Sequence, residues 1–197
     1  MGQDSTAEGS TAEMIKSEDI NALAADYWAA AMRVHPTWAH LLGDFSNVGA
    51  FEDASRAAED QQIAELTGFV ARAEAIEGLT GDDRVTQQVL ISHARTNLDV
   101  LSHRLAQISA DPIFGEQVTL PIVAGMLGIP NAEVAEAMLD KIAGMGAHFA
   151  QLGARVAEGA EAGRAPARFA VEGVIDGIDQ SLASPAESDP MLAAFQL

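Results

Sequence analysis

Apolar residues recur at helical spacing over long segments of this chain, and this pattern constrains the fold more than any other feature. In residues 18–34 they fall at Ile20, Leu23, Ala24 and Tyr27, which places them on one face of a helix. No segment sustains the alternation with a period of two that a half-buried strand requires. We therefore predict an all-α bundle of about seven mostly antiparallel helices, since short connections favour antiparallel neighbours.

Prolines, glycines and capping residues set the predicted helix limits. The predicted helices cover residues 18–34, 37–42, 54–76, 80–110, 121–128, a segment from Asn131 to beyond Val156, and 166–182. Large apolar residues on their inner faces are expected to form the core: Trp28, Leu98, Leu101, Phe149 and Phe169.

The composition of the two ends suggests three regions. Residues 1–16 are rich in Gly, Ser, Thr and acidic residues and read as a disordered acidic tail. Residues 17–184 form the predicted helical domain. Residues 185–197, which contain prolines and acidic residues, are interpreted as a C-terminal extension or a linker to a missing part.

The charge balance narrows the possible partners. Lys and Arg number 11 against 29 for Asp and Glu, which gives a formal net charge of −18. Such a surface repels phosphate, so we expect neither nucleic acid nor an anionic membrane as a partner. The chain has no cysteine, which excludes disulfides, Cys-ligated zinc and a thiol nucleophile. With no signal-peptide pattern in its first residues either, we predict a cytoplasmic location.

The sequence offers no catalytic or metal-binding motif. A helical zinc site needs two histidines one turn apart, and no pair among the five histidines has that spacing. Glycine-rich phosphate loops and nucleophile elbows are also missing from the sequence. We therefore assign no catalytic residue, no metal ligand and no cofactor to this chain.

Two residues are candidates for substrate binding. Asp44 follows an aromatic turn and Gly43, where it either caps the next segment or lines a cleft. Arg168 lies in the first turn of the last predicted helix, where a cation opposes the helix dipole. A carboxylate partner is expected for it, either within the chain or on a substrate.

Ordered sequence blocks carry a family resemblance. They are His35–Asp44 followed by Phe51–Asp53, then Asp82–Arg84, then Met138–Ile142 leading into Gly163–Arg168. Together they resemble the amino-terminal part of the bacterial proteins grouped as domain of unknown function 885, thought to be zinc-dependent peptidases. The zinc motif of that family lies further downstream and has no counterpart here.

The resemblance implies a non-catalytic amino-terminal helical part of a zinc metallopeptidase, which forms one wall of the substrate cleft. Zinc is implied for the complete enzyme only. The implied partner is a C-terminal catalytic part or a second polypeptide, and a homodimer is possible. We expect an uncovered apolar face beside the last helix and Met191–Leu197.

Two alternatives stay open at this point. The chain is alternatively a stand-alone acidic helical module for protein interaction. It is also compatible with a small-ligand binder that uses a pocket between helices, with Arg168 as the anchor for an anion.

Overall fold

The computed structural model describes residues 4–188. Its α-helices are α1 (Asp4–Val34), α2 (Pro36–Leu41), α3 (Arg56–Glu74), α4 (Gly81–Ser102), α5 (Glu116–Ala124), α6 (Ala132–Glu161) and α7 (Arg168–Leu182). Short 3₁₀ turns cover Leu105–Ile108 and Ala186–Ser188. No strand occurs within residues 4–188, and the predicted all-α bundle of seven helices is confirmed.

The helices divide between two compact units. Unit 1 contains residues 4–32 and 57–103, and unit 2 contains residues 33–56 and 104–188. The domain boundaries that we predicted at residues 16 and 184 stay predictions. None of the described helices combines the length and the apolarity that crossing a membrane requires.

Unit 1 is a three-helix arrangement of α1, α3 and α4. Its buried core lies at Ile20, Leu23, Tyr27, Ala73, Leu90, Ile91 and Ala94. Asp26 pairs with Arg72 while Lys16 lies beside Gly78, so α1 and α3 run antiparallel. In contrast, Asn21 contacts Asp83 and Tyr27 contacts His93, so α1 and α4 run parallel.

A buried glutamine closes the carboxyl end of α3 in unit 1. The last carbonyls of a helix lack partners within the helix and need donors from elsewhere. Gln87 of α4 supplies them, because its amide nitrogen donates to Ala73 O at 2.7 Å and Ile76 O at 2.8 Å. This contact fixes the turn between α3 and α4.

Unit 2 packs its small apolar core at one end of α6. Val48, Leu127, Val134 and Met138 are buried together. Asn131 caps α6, as predicted, since its side-chain oxygen accepts a hydrogen bond from Val134 N at 2.9 Å. Gly43 adopts the left-handed backbone expected after α2, with φ of 88°.

Several predicted helix limits were wrong. α1 begins at Asp4 rather than Glu18, whereas the disorder predicted for residues 1–16 stays a prediction. α4 ends at Ser102, because Arg104 takes a left-handed conformation with φ of 54° where the chain passes into unit 2. α5 starts at Glu116, so Pro121 lies inside the helix rather than at its first position. Of the predicted extension, only residues 185–188 are described.

Part of the predicted core was also wrong. The side chains of Trp28, Phe149 and Phe169 are 57%, 41% and 76% exposed, while Leu98 and Leu101 are half-buried. Each exposed aromatic residue lies next to a buried residue of its own helix: Tyr27, His148 and Ala170 respectively. One residue along a helix is a rotation of about 100°, which is enough to turn a side chain from the core to the surface.

Candidate functional site

Three basic side chains form a row on the buried face of α6. Lys141, His148 and Arg155 are 1%, 4% and 2% exposed, and each follows the previous one after seven residues. Seven residues are close to two helical turns, so the three lie on one side of the helix. Basic residues are rarely buried to this extent unless they are paired, and the partners of this row define the candidate site in unit 2.

The segment of residues 49–54 is the main partner of the row, and we call it the strap. Lys141 donates to Ala50 O at 2.6 Å, and His148 Nδ1 donates to Glu52 O at 2.9 Å. Ala54 N donates to the side chain of Gln151 at 2.9 Å. The four steps of extended chain from residue 50 to residue 54 cover about 13 Å, and the ten helical steps from residue 141 to residue 151 cover about 15 Å. The strap therefore runs along α6 in the same direction.

Small residues of α6 let the strap approach closely. A Cβ added to Gly144 would lie 3.0 Å from the Cβ of Phe51, closer than ordinary van der Waals contact. The Phe51 ring in turn packs edge-on against His148, with 5.0 Å between ring centroids. Glycine at position 144 thus serves contact with the strap, despite its low helix propensity.

Lys141 lies in a network that includes a carboxylate. Its ammonium also donates to Thr37 Oγ1 at 3.2 Å. Glu52 accepts hydrogen bonds from Thr37 N at 2.8 Å and from the Thr37 hydroxyl at 2.7 Å. Burial lowers the pKa of Lys141 below its usual value, and the nearby charge of Glu52 opposes that shift. The network ties α2, the strap and α6 together.

His148 donates from both ring nitrogens. Nδ1 contacts the carbonyl of Glu52, and Nε2 contacts the carboxylate of Glu116 on α5. Two acceptors require two N–H groups, which only the charged imidazolium has. Burial lowers the pKa of His148, but the hydrogen bond and charge of Glu116, together with the contacts to Glu52, outweigh it and raise the pKa. While it is charged, His148 offers no lone pair with which to accept a proton.

Arg155 completes the row through Glu158. Arg155 and Arg56 each bond a different oxygen of the Glu158 carboxylate. Arg155 is almost fully buried, whereas Arg56 and Glu158 are partly exposed. The row is thus a set of hydrogen bonds and ion pairs that join α6 to the segments around it.

The two residues predicted to bind substrate lie outside this network. Asp44 accepts a hydrogen bond from Ser46 N at 2.9 Å, and its contacts with Ser46 hold its pKa below the usual range. This is the local capping role considered for it. Arg168 is 91% exposed and bonds Glu172 at 2.8 Å, a partner within its own helix. Their roles in substrate binding stay predictions.

The residues of the row were missed at the sequence level. The inner face of α6 was predicted from apolar residues, among them Val134, Met138 and Met145. The same helical spacing includes positions 141 and 148, so it could have predicted that Lys141 and His148 lie on the buried face. Among the described residues, no group of three His, Asp or Glu side chains is placed to hold a metal ion.

Most of the chain matches one protein family. The family described as "Bacterial protein of unknown function (DUF885)" matches residues 36–196. The chain belongs to the DUF885 family. The family predicted from the sequence blocks is therefore confirmed, and the match includes α2, the strap and the whole of α6. Neither the curated proteins nor the solved structures include a match to this chain.

Proposed function

We propose that this chain is the non-catalytic amino-terminal helical part of a DUF885 zinc metallopeptidase. In this role it forms one wall of the substrate cleft, and the zinc-bearing part is a C-terminal region or a second polypeptide in the cytoplasm. The observation that carries the proposal is an apolar stripe on α7 that the described residues cover only in part.

The stripe consists of Ile175, Ile178 and Leu182, which are 52%, 38% and 78% exposed. Their spacing of three and four residues places them on one side of α7. Only Ala170 is buried in the whole helix. An amphipathic helix gains stability in a protein by burying its apolar side, so a stripe of this kind favours a packing partner. The Met191–Leu197 part of the face predicted here lies outside the described residues.

The rigid site in unit 2 supports a structural role. The basic row on α6 fixes the strap and α2 through hydrogen bonds whose groups are already engaged with each other. A wall of a cleft must hold its shape while substrate binds, because misplaced groups lose rate steeply. A scaffold fits these contacts better than a catalytic centre does.

The test is assembly with the zinc-bearing polypeptide of the same system. The chain is co-expressed with the polypeptide that carries the zinc motif, and the complex is measured by sedimentation, metal content and peptide hydrolysis. We expect a one-to-one complex with activity and no activity from the chain alone. The variant Ile175→Glu/Ile178→Glu should lose the complex.

A matched control separates the stripe from general surface polarity. Val85 and Val89 form an exposed apolar pair on α4, at 60% and 62%, so Val85→Glu/Val89→Glu should leave the complex intact. Stoichiometric zinc with hydrolysis by the chain alone would refute the proposal. A homodimer that depends on the stripe and excludes the zinc-bearing polypeptide would favour the stand-alone interaction module instead.

A further inference from the structure

Unit 1 has a cleft that the proposed function does not use. It lies where α3 turns into α4 and has a volume of about 480 Å³, within the range of small-molecule sites. Its lining includes Ile76, Gly78, Leu79, Arg84, Ile91 and Arg95. All of these residues belong to unit 1.

The cleft contains an arginine available for a ligand. Arg84 is exposed, and among the side chains that the structure describes it has no hydrogen-bond or ion-pair partner. Arg95, on the same side of α4, is engaged with Glu74. The planar guanidinium of Arg84 is suited to bidentate binding of a carboxylate.

The lining of the cleft carries two basic and two acidic side chains, and a lysine lies next to it. Arg84 and Arg95 line the cleft, and Lys16 lies beside its turn, since a Cβ on Gly78 would be 2.9 Å from Lys16 Nζ. These are three of the 11 basic residues in a chain of net charge −18. Glu74 and Glu77 also line the cleft. Glu74 is paired with Arg95, so Arg84 is the cation left for an anion, and Glu77 opposes an anion there.

The floor of the cleft is apolar. Ile76 and Leu79 are partly buried and pack against the unit 1 core, to which Ile91 belongs. A ligand that places a carboxylate on Arg84 has an aliphatic surface next to it, as small-molecule sites with a few oriented polar groups usually do.

We propose that this cleft binds a small organic carboxylate with an aliphatic group, such as a short fatty acid or the carboxyl end of a peptide. Arg84 holds the carboxylate, and Ile76, Leu79 and Ile91 contact the aliphatic group. The site is independent of the α7 stripe, and its failure leaves the proposed scaffold role untouched.

Calorimetric titration of the full chain at low salt tests the site with three probes. Hexanoate represents a fatty acid, N-acetyl-leucine represents a peptide end, and hexanamide is the uncharged control. We expect saturable millimolar binding of at least one carboxylate and no saturation by hexanamide. Whichever carboxylate binds more tightly identifies the source of the ligand.

Variants localise the binding. Arg84→Gln should weaken binding of the carboxylate by at least about tenfold, because it removes a bidentate charged contact. Glu77→Gln should tighten carboxylate binding by removing an opposing charge. Arg72→Gln, which changes an exposed arginine of unit 1 outside the lining, should leave the binding unchanged. Absence of saturation with both carboxylates, equal binding by Arg84→Gln, or hexanamide binding as tightly as hexanoate would each overturn the proposal.

Discussion

Replacing Lys141 by methionine tests whether the buried basic row holds unit 2 together. Methionine has nearly the same length and volume as lysine, so the packing around α6 is kept while the ammonium is removed. The change deletes the hydrogen bonds to Ala50 O and to Thr37 Oγ1. Thr37 still donates to Glu52, which keeps that carboxylate solvated by the protein.

The magnitude follows from two opposing terms. A hydrogen bond from a charged donor contributes about 1.5–3 kcal/mol, so two contribute about 3–6 kcal/mol. Burial of the ammonium costs several kcal/mol, which methionine avoids. The lowered pKa of Lys141 indicates that burial outweighs the attraction of Glu52. We expect Lys141→Met to lower the free energy of unfolding by about 1–3 kcal/mol, and Lys141→Ala by about 3–5 kcal/mol because a void is added.

The two tryptophans allow unit 2 to be followed by itself. Trp28 lies in unit 1 and Trp38 in unit 2. In a Trp28→Phe background, urea unfolding followed by fluorescence reports on unit 2, and the slope with urea should be the same in all variants. The control Arg168→Met removes an exposed cation and should change the free energy of unfolding by less than about 0.5 kcal/mol.

One result would refute the reasoning about the row. That result is a free energy of unfolding for Lys141→Met within about 0.5 kcal/mol of that of the parent protein. The hydrogen bonds of the ammonium would then only offset the unfavourable free energy of its burial. The strap would then be held by packing alone, and the loss in Lys141→Ala would reflect only the void.

Three further predictions concern other parts of the chain. Ile20→Ala, at a fully buried position of unit 1, should destabilise by about 2–5 kcal/mol in chemical unfolding. Gly159→Ala should destabilise by about 1–3 kcal/mol, since its Cβ would lie 2.5 Å from a backbone oxygen. The control Gly153→Ala meets nothing within 4 Å and should stabilise by about 0.5–1 kcal/mol. Because the pKa of His148 is raised on folding, its stabilising contribution is complete below about pH 6.5 and is lost as pH rises through the folded pKa. The free energy of unfolding, measured from below about pH 6.5 upwards, should fall with rising pH in the parent protein and should fall less in Glu116→Gln.

The sequence was sufficient for the helices that carry clear end signals. Asn131 and the loop after Gly163 predicted the start of α6 and the break before α7, because capping and left-handed residues act locally. The end of α4 had no such signal. It depends on Arg104, an ordinary residue that takes a left-handed conformation where the chain changes unit.

The candidate site was less predictable because it depends on partners far away in sequence. A helical pattern identifies a buried face by its apolar members, so Lys141 and His148 were not included in the predicted core. Their burial becomes favourable only when the strap supplies carbonyl partners and α5 supplies the carboxylate of Glu116. The helical spacing of the sequence gives the side of α6 on which each residue lies, but it does not give the residues that pack against that side.

The interleaved order of the two units has a consequence for folding during synthesis. Residues 33–56 leave the ribosome before most of unit 1, yet their partners lie on α6. The Thr37–Lys141 contact spans 104 residues and the Glu52–His148 contact spans 96. The strap is therefore synthesised before its partners on α6, and α3 and α4 of unit 1 are made in between. Contacts of such long separation slow folding, so we expect unit 1 to form first and unit 2 to close only after α6 has been made.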